Sequence, residues 1–261
     1  MNMRLDRFLT AQTAFSRREC AEAVRRGSVT VNGVTVRRPE EKITPGTDEI
    51  CIAGKPVSYS EFHYFLMHKP CGVITASRDK SAQTVLDLLR PEDRLPGLFP
   101  CGRLDKDTSG LLLITDDGKL SHRMLSPKHH VTKYYLVQLS RPFERDYITR
   151  LAGGITLREG DAEEQCLPAE CEQIGEKICT VGLTEGRYHQ VRRSFAAMGN
   201  HVENLLRVGI GGLKLPPNLA AGAYSTIFTK DVENMLNASS ISLMSEFCRM
   251  EYSSYWIKET V

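Results

Sequence analysis

The 261-residue chain carries 34 Lys and Arg against 32 Asp and Glu, a formal net charge of +2, and 41% of its residues are hydrophobic. That balance suits a soluble globular protein of one large domain, or of a small domain joined to a medium one, and excludes a polybasic tail protein or a membrane-spanning chain. The eight cysteines are scattered with no C-x-x-C pair and no apolar segment opens the chain, so a zinc ribbon and a secreted disulfide scaffold are excluded and reduced thiols in a cytoplasmic protein are expected.

Charge is unevenly distributed along the chain. Residues 3–38 hold eight arginines and no lysine against three acids, a net of +5, whereas residues 231–261 hold five acids against two bases, a net of −3. A basic head on a near-neutral body predicts a phosphate-binding module attached to something else. Within the head, Leu5, Phe8 and Leu9 fall at helical spacing. Ser16 and Glu19 form a capping box for a second helix running to about Arg26 and stopped by Gly27. Val29–Val31 and Val34–Val36 flank Asn32-Gly33, the dipeptide suited to a type I′ hairpin turn, and another short strand lies around Ile50. Two helices with arginines near their ends and a valine-rich hairpin resemble the alpha-L RNA-binding motif. The resemblance implies that Arg17, Arg18, Arg25 and Arg26 contact RNA backbone, with Arg4 and Arg7 in support. Contacts of that kind supply affinity and register and weaken with salt. The module is assigned to residues 3–58 and a linker to 59–61.

The body, assigned to residues 62–237, opens with a strand at Phe62–Met67 that ends in the turn His68-Lys-Pro-Cys-Gly-Val73. Thr84–Leu89 predicts a short helix. Gly102-Arg-Leu-Asp105 and Thr108-Ser-Gly110 make a loop with a lone carboxylate, followed by the apolar strand Leu111–Ile114 and the turn Asp116-Asp117-Gly118. His122, His129 and His130 fit no standard metal-ligand spacing, so they are assigned to polar surface or RNA contact and no metal is expected. Lys133–Leu139 alternates as a strand, which puts Tyr134 and Tyr135 on opposite faces. A helix is predicted over Phe143–Gly153 and strands over Ala169–Ile174 and Lys177–Leu183. Glu185-Gly-Arg-Tyr-His-Gln-Val-Arg-Arg-Ser-Phe195 then runs into a helix ending near Gly199. The tail, 238–261, contains Ile241, Leu243, Met244, Tyr252, Tyr255 and Trp256 but no motif, and its packing is left open.

Three of these stretches, in this order, resemble the pseudouridine synthases, specifically the RsuA-type branch: the K-P-x-G-V turn, the run G-R-L-D with T-x-G-L-L-L-x-T-x-D-G, and E-G-x-x-x-Q-V-R-R. The resemblance covers about residues 3–237. It implies an α+β protein in which the alpha-L module precedes a catalytic domain with a mixed, largely antiparallel sheet flanked by helices. It also implies catalytic roles for Asp105, Tyr135 and Arg192. Tyr135 would stack on a flipped base or take part in proton transfer. Val191 would pack against the base, and Arg192 would pair with Asp105 and keep it ionised in a dry pocket. Arg103 would fill the space left by the flipped nucleotide or hold a phosphate, and Arg207 is a further candidate for RNA contact or for a structural role.

The implied reaction breaks the N-glycosidic bond of one uridine, turns the base and rejoins it through carbon five, with no cofactor. Whether Asp105 attacks the sugar, attacks the ring or removes a proton is left open by sequence. The Tyr188-His189-Gln190 form of the third motif looks like the RsuA-type branch, and that resemblance implies small-subunit ribosomal RNA as substrate, free or in an assembling 30S particle, with uridine 516 of 16S rRNA as target. Large-subunit (23S) RNA is the alternative target, and a non-catalytic assembly factor is the alternative of another class. A hydrolytic glycosidase ordinarily wants two opposed carboxylates, and only Asp105 has a supporting motif. A cytoplasmic monomer is expected.

Overall fold

In the computed structural model, residues 2–126, 131–159, 162–234, 237 and 239–252 are described. His129, His130, Tyr255 and Trp256 lie outside them. Among the described residues, no helix is long and apolar enough to cross a membrane.

The N-terminal module begins with α1 (Leu5–Gln12), which buries Leu5, Phe8 and Leu9. Its α2 (Arg17–Arg25) starts at the Ser16 box: Ser16 Oγ accepts from Glu19 N, and Glu19 Oε2 accepts from Ser16 N at 2.7 Å. The Val29–Val31 and Val34–Val36 strands pair through Asn32 and Gly33, whose φ values of 52° and 79° are the left-handed pair a type I′ turn requires. Cys20, Val24, Val29, Ile43 and Ile50 close the small core around the α1 face. Gln12 fastens the module to the body. It exchanges two hydrogen bonds with the Ser60 backbone and meets His63, which is itself paired with Asp116 at 2.8 Å.

The body is built on a nine-stranded sheet. Its strands are β1 (Tyr64–Lys69), β2 (Phe99–Cys101), β3 (Ser109–Thr115), β4 (Lys133–Leu139), β5 (Glu170–Gln173), β6 (Ile178–Leu183), β7 (Val202–Ile210), β8 (Leu213–Lys214) and β9 (Tyr224–Thr226). The order is β5-β6-β4-β7-β3-β1-β9, with β2 on β3 and β8 on β7. Every pair is antiparallel except β7 with β3. The sheet is therefore mixed and largely antiparallel.

Helices cover both faces. Tyr134 and Leu136 point into one core with Leu111, Leu113 and Leu206, joined by α3 (Gly118–Leu125) through Leu120 and Met124. Val137 and Leu139 point into the other, against α4 (Asp146–Ala152) and α5 (Gln190–Ala197) through Tyr147, Leu151 and Phe195. Alternation along one strand thus supplies two cores.

Several elements differ from the sequence expectation. The helix expected from Phe143 starts at Asp146, because Phe143 N is bound to Glu176 O at 2.7 Å and its ring packs edge-on against Tyr147. The Thr84–Leu89 helix is a single 3-10 turn over Val85–Leu88, capped by Thr84 and Asp87. β7 was not visible in the sequence pattern, since bulges at Tyr134/Tyr135 and Gln138/Leu139 break its alternation against β4. The tail's packing, left open by sequence, is resolved up to Tyr252. After α6 (Thr229–Asn234), α7 (Ile241–Glu251) is capped by Ser240 and buries Met244, Ser245 and Cys248 in the core that holds Tyr134, while Tyr252 Oη donates to Leu215 O.

Candidate active site

Asp105 stands in the loop between β2 and β3, and the sequence around it is fixed from one side. Lys69, at the end of β1, is fully buried and donates its Nζ to Pro70 O, Asp105 O and Thr108 O at 2.9–3.0 Å. Its three protons are thereby spent on three carbonyls, two of them bracketing the loop. Burial lowers its pKa to about 8, against the opposing pull of Cys71, Asp105 and Asp107. Thr75 Oγ1 donates to Leu104 O and accepts from Leu104 N, and Gly72 N donates to Lys106 O. The loop leads into Gly110, where β3 and β7 run parallel in contact. A Cβ there would lie 2.4 Å from the backbone N and O of Arg207, and φ is 117°. Only glycine permits that approach.

With the backbone anchored, the Asp105 side chain remains about one-third exposed, and its neighbour is His189, with Nε2 3.6 Å from Oδ1. Arg192 does not meet Asp105. Its Nε lies 3.3 Å from Asp107 Oδ2, and its other nitrogens donate to Asp107 O at 3.0 Å and Val202 O at 2.8 Å. The expected Asp105–Arg192 pair is corrected accordingly: backbone and side-chain oxygens of Asp107 converge on the guanidinium in a way that Asp105, two residues earlier, does not.

Tyr135 is half-buried against the cluster that contains Val191, itself 5% exposed. Tyr134 lies on the opposite face with its hydroxyl donating to Ser239 O. Arg103 is exposed. Arg207, a candidate for RNA contact, is 4% exposed and donates Nε to Leu111 O at 2.8 Å, so it braces β7 against β3 beneath the surface. Lys133 is held near it by a bond to Thr184 O, and burial, with the Arg207 charge, lowers its pKa. In the module all six candidate arginines are exposed. Arg4 is committed to Asp6 at 2.7 Å and Arg26 leans on Glu22 at 3.6 Å. Arg7, Arg17, Arg18 and Arg25 carry no ion pair among the described residues.

Sequence reasoning missed His189 and Asp107 as partners in this site. Both contacts join segments more than eighty residues apart, and no spacing encodes them. Ligand atoms of Asp105, Asp107 and His189 all lie within 4.8 Å of one another, the one group among the described residues with metal-ligand character. Arg192 occupies one of those carboxylates, and its positive charge opposes a cation there. The arrangement instead offers a partly exposed carboxylate on a backbone-anchored loop, facing His189, with Arg192 held on Asp107 beside it.

Residues 63–197 match the RNA pseudouridylate synthase family, and residues 3–50 match the S4 domain. The chain belongs to the RNA pseudouridylate synthases, with an S4 domain at its N-terminus. Among curated proteins it is 39% identical over 235 residues to ribosomal small subunit pseudouridine synthase A of Escherichia coli K12, covering 90% of this chain and all of that one. It is 41% identical over 237 residues to the uncharacterized RNA pseudouridine synthase YtzG of Bacillus subtilis 168, covering 90% and 98%. Among solved structures it is similar to a pseudouridylate synthase crystal structure with a TM-score of 0.62 and 36% identity, covering 89% and 99%.

Proposed function

We propose that this synthase isomerises one uridine of small-subunit ribosomal RNA, uridine 516 of 16S rRNA, and that Asp105 is its catalytic carboxylate. The observation that carries the reading is the Asp105 loop. Lys69 and Thr75 fix its backbone and leave the Asp105 carboxylate partly exposed, with His189 as its side-chain neighbour. Full-length similarity to small-subunit enzymes supports the choice of RNA.

The N1–C1′ bond of uridine breaks, the detached uracil turns, and C5 bonds to C1′. The C5 proton leaves to solvent and N1 gains one, so no atom or electron is added and no cofactor is required. Tyr135 flanks the base, and Val191 backs that wall. Asp107 is held by Arg192, so it is not free to act as a second, opposed carboxylate of the kind hydrolysis needs. Arg7, Arg17, Arg18 and Arg25 on the S4 domain hold RNA backbone, and Arg103 enters the space the flipped nucleotide leaves.

The test is pseudouridine mapping across 16S and 23S rRNA treated with the purified protein, as free RNA and in assembly particles. A new pseudouridine at 516 is the expected result. Modification confined to 23S rRNA would move the target. RNA binding without any modification would favour an assembly factor.

A further inference from the structure

The segment that follows β6 is held more tightly than a surface loop requires. Gln190 Nε2 donates to Glu185 Oε1 at 2.7 Å, Arg187 N donates to Gln190 Oε1 at 3.1 Å, and Arg187 Nε donates to Glu185 Oε2 at 2.9 Å. Leu167 N closes the network on Glu185 at 2.8 Å. Between these anchors His189 sits at φ 47°, ψ 34°, a left-handed conformation that residues with a Cβ avoid. Such strain persists where surrounding bonds over-determine it, and it gathers at working sites.

The outcome here is geometric. His189 is delivered with Nε2 facing the Asp105 carboxylate at 3.6 Å. The Tyr188 ring lies flat upon the imidazole, with centroids 4.0 Å apart and planes 14° from parallel. Its far face is open, for Tyr188 is 69% exposed. A large ring is normally buried for its apolar area. This one is stiffened from behind and presented to solvent beside the catalytic loop.

We propose that the Tyr188–His189 stack is a nucleobase platform. Tyr188 receives, face to face, an unpaired base adjacent to the target uridine, and His189, behind that ring, fixes the orientation of Asp105. The inference rests on the reading of the protein as an rRNA uridine isomerase, and it assigns a ligand to a surface that reading leaves unused. Removing the target from its stack uncovers one face of its neighbour, and an exposed flat ring replaces the lost contact. Arg192 is committed to Asp107, so His189 is the side chain that meets the Asp105 carboxylate. Every base has a π face, so Tyr188 sets position and leaves base identity to other contacts. His189 is a positioning residue.

The test places 2-aminopurine at each nucleotide flanking the target in a small-subunit rRNA fragment. Fluorescence quenching is read in parallel with tritium release from carbon five. Wild type and Tyr188→Phe should quench one flanking position. Tyr188→Ala should lose the quench and raise KM about tenfold with kcat nearly unchanged. His189→Asn, which tolerates the left-handed backbone, should keep KM and lower kcat by about tenfold through a misaimed Asp105. Unchanged quenching and KM in Tyr188→Ala would overturn the platform, and an unchanged kcat in His189→Asn would overturn the positioning role of His189. Absence of tritium release by wild type on every rRNA would instead sink the isomerase reading, and the platform would then stand or fall on the quench alone.

Discussion

The Asp105 loop and the arginine face of the S4 domain use the same kind of group, the side-chain N–H donor, in opposite ways. In the loop, Lys69 is buried and all three of its donors end on backbone carbonyls, two of them in the loop. On the S4 domain, Arg17 and Arg18 lie exposed in the first turn of α2, with no carboxylate among the described residues to hold them. The first arrangement gives a carboxylate one geometry. The second leaves charge available to a backbone whose path the protein does not dictate. On the proposed reading, rigid chemistry and adaptable affinity are separated into different parts of the chain, and perturbing each should fail in its own manner.

The largest effect on the fold should come from Gly110→Ala. The added Cβ meets Arg207 backbone at 2.4 Å on both N and O, and neither atom can yield without opening β3 from β7. A loss of about 3–5 kcal/mol is expected in denaturant unfolding.

Lys69→Met comes next and keeps most of the apolar stem. It strands three carbonyls in a closed site and should cost about 2–4 kcal/mol. The pH dependence sharpens this prediction. Burial lowers the Lys69 pKa from 10.5 in the unfolded chain to about 8 in the fold, so between those values the unfolded chain binds more protons. Wild-type stability relative to Lys69→Met should therefore rise from pH 8 to 10.5 and be flat below. A difference that falls over that range would show that Lys69 is not desolvated in the fold.

Arg17→Ala with Arg18→Ala should leave the melting temperature in place. It should weaken RNA binding and reduce the salt slope by about 1 for each lost phosphate contact. An unchanged slope would remove that face from the interface.

How much of this was legible in sequence follows the same division. The S4 domain could be read nearly residue by residue, because its determinants are local: a four-residue capping box, an Asn-Gly turn, and apolar residues at helical spacing. The three body motifs were equally legible as strings, and Gly110 now has a steric reason for its place in one of them. Pairings across the chain were not legible. Arg192 selects Asp107 over Asp105 through the path of one loop, and no periodicity distinguishes two aspartates separated by one residue. β7 was hidden by its bulges. α7 carries no motif, so the core that its Met244 and Cys248 join, with Ile241 and Phe247 packed beside them, could not be assigned from its own residues. Arg207 read from the resemblance of its stretch as either an RNA contact or a structural residue, and its burial and bond to Leu111 O make it a brace.

The central claim is that one carboxylate, held by that loop, carries the chemistry. Single-turnover tritium release from carbon five of a 16S rRNA fragment spanning uridine 516 tests it most directly, with wild type set against Asp105→Asn. Release by wild type, reduced on the order of 10³-fold or more in the variant at an unchanged melting temperature, is the expected result. Release at the wild-type rate from Asp105→Asn would contradict the account.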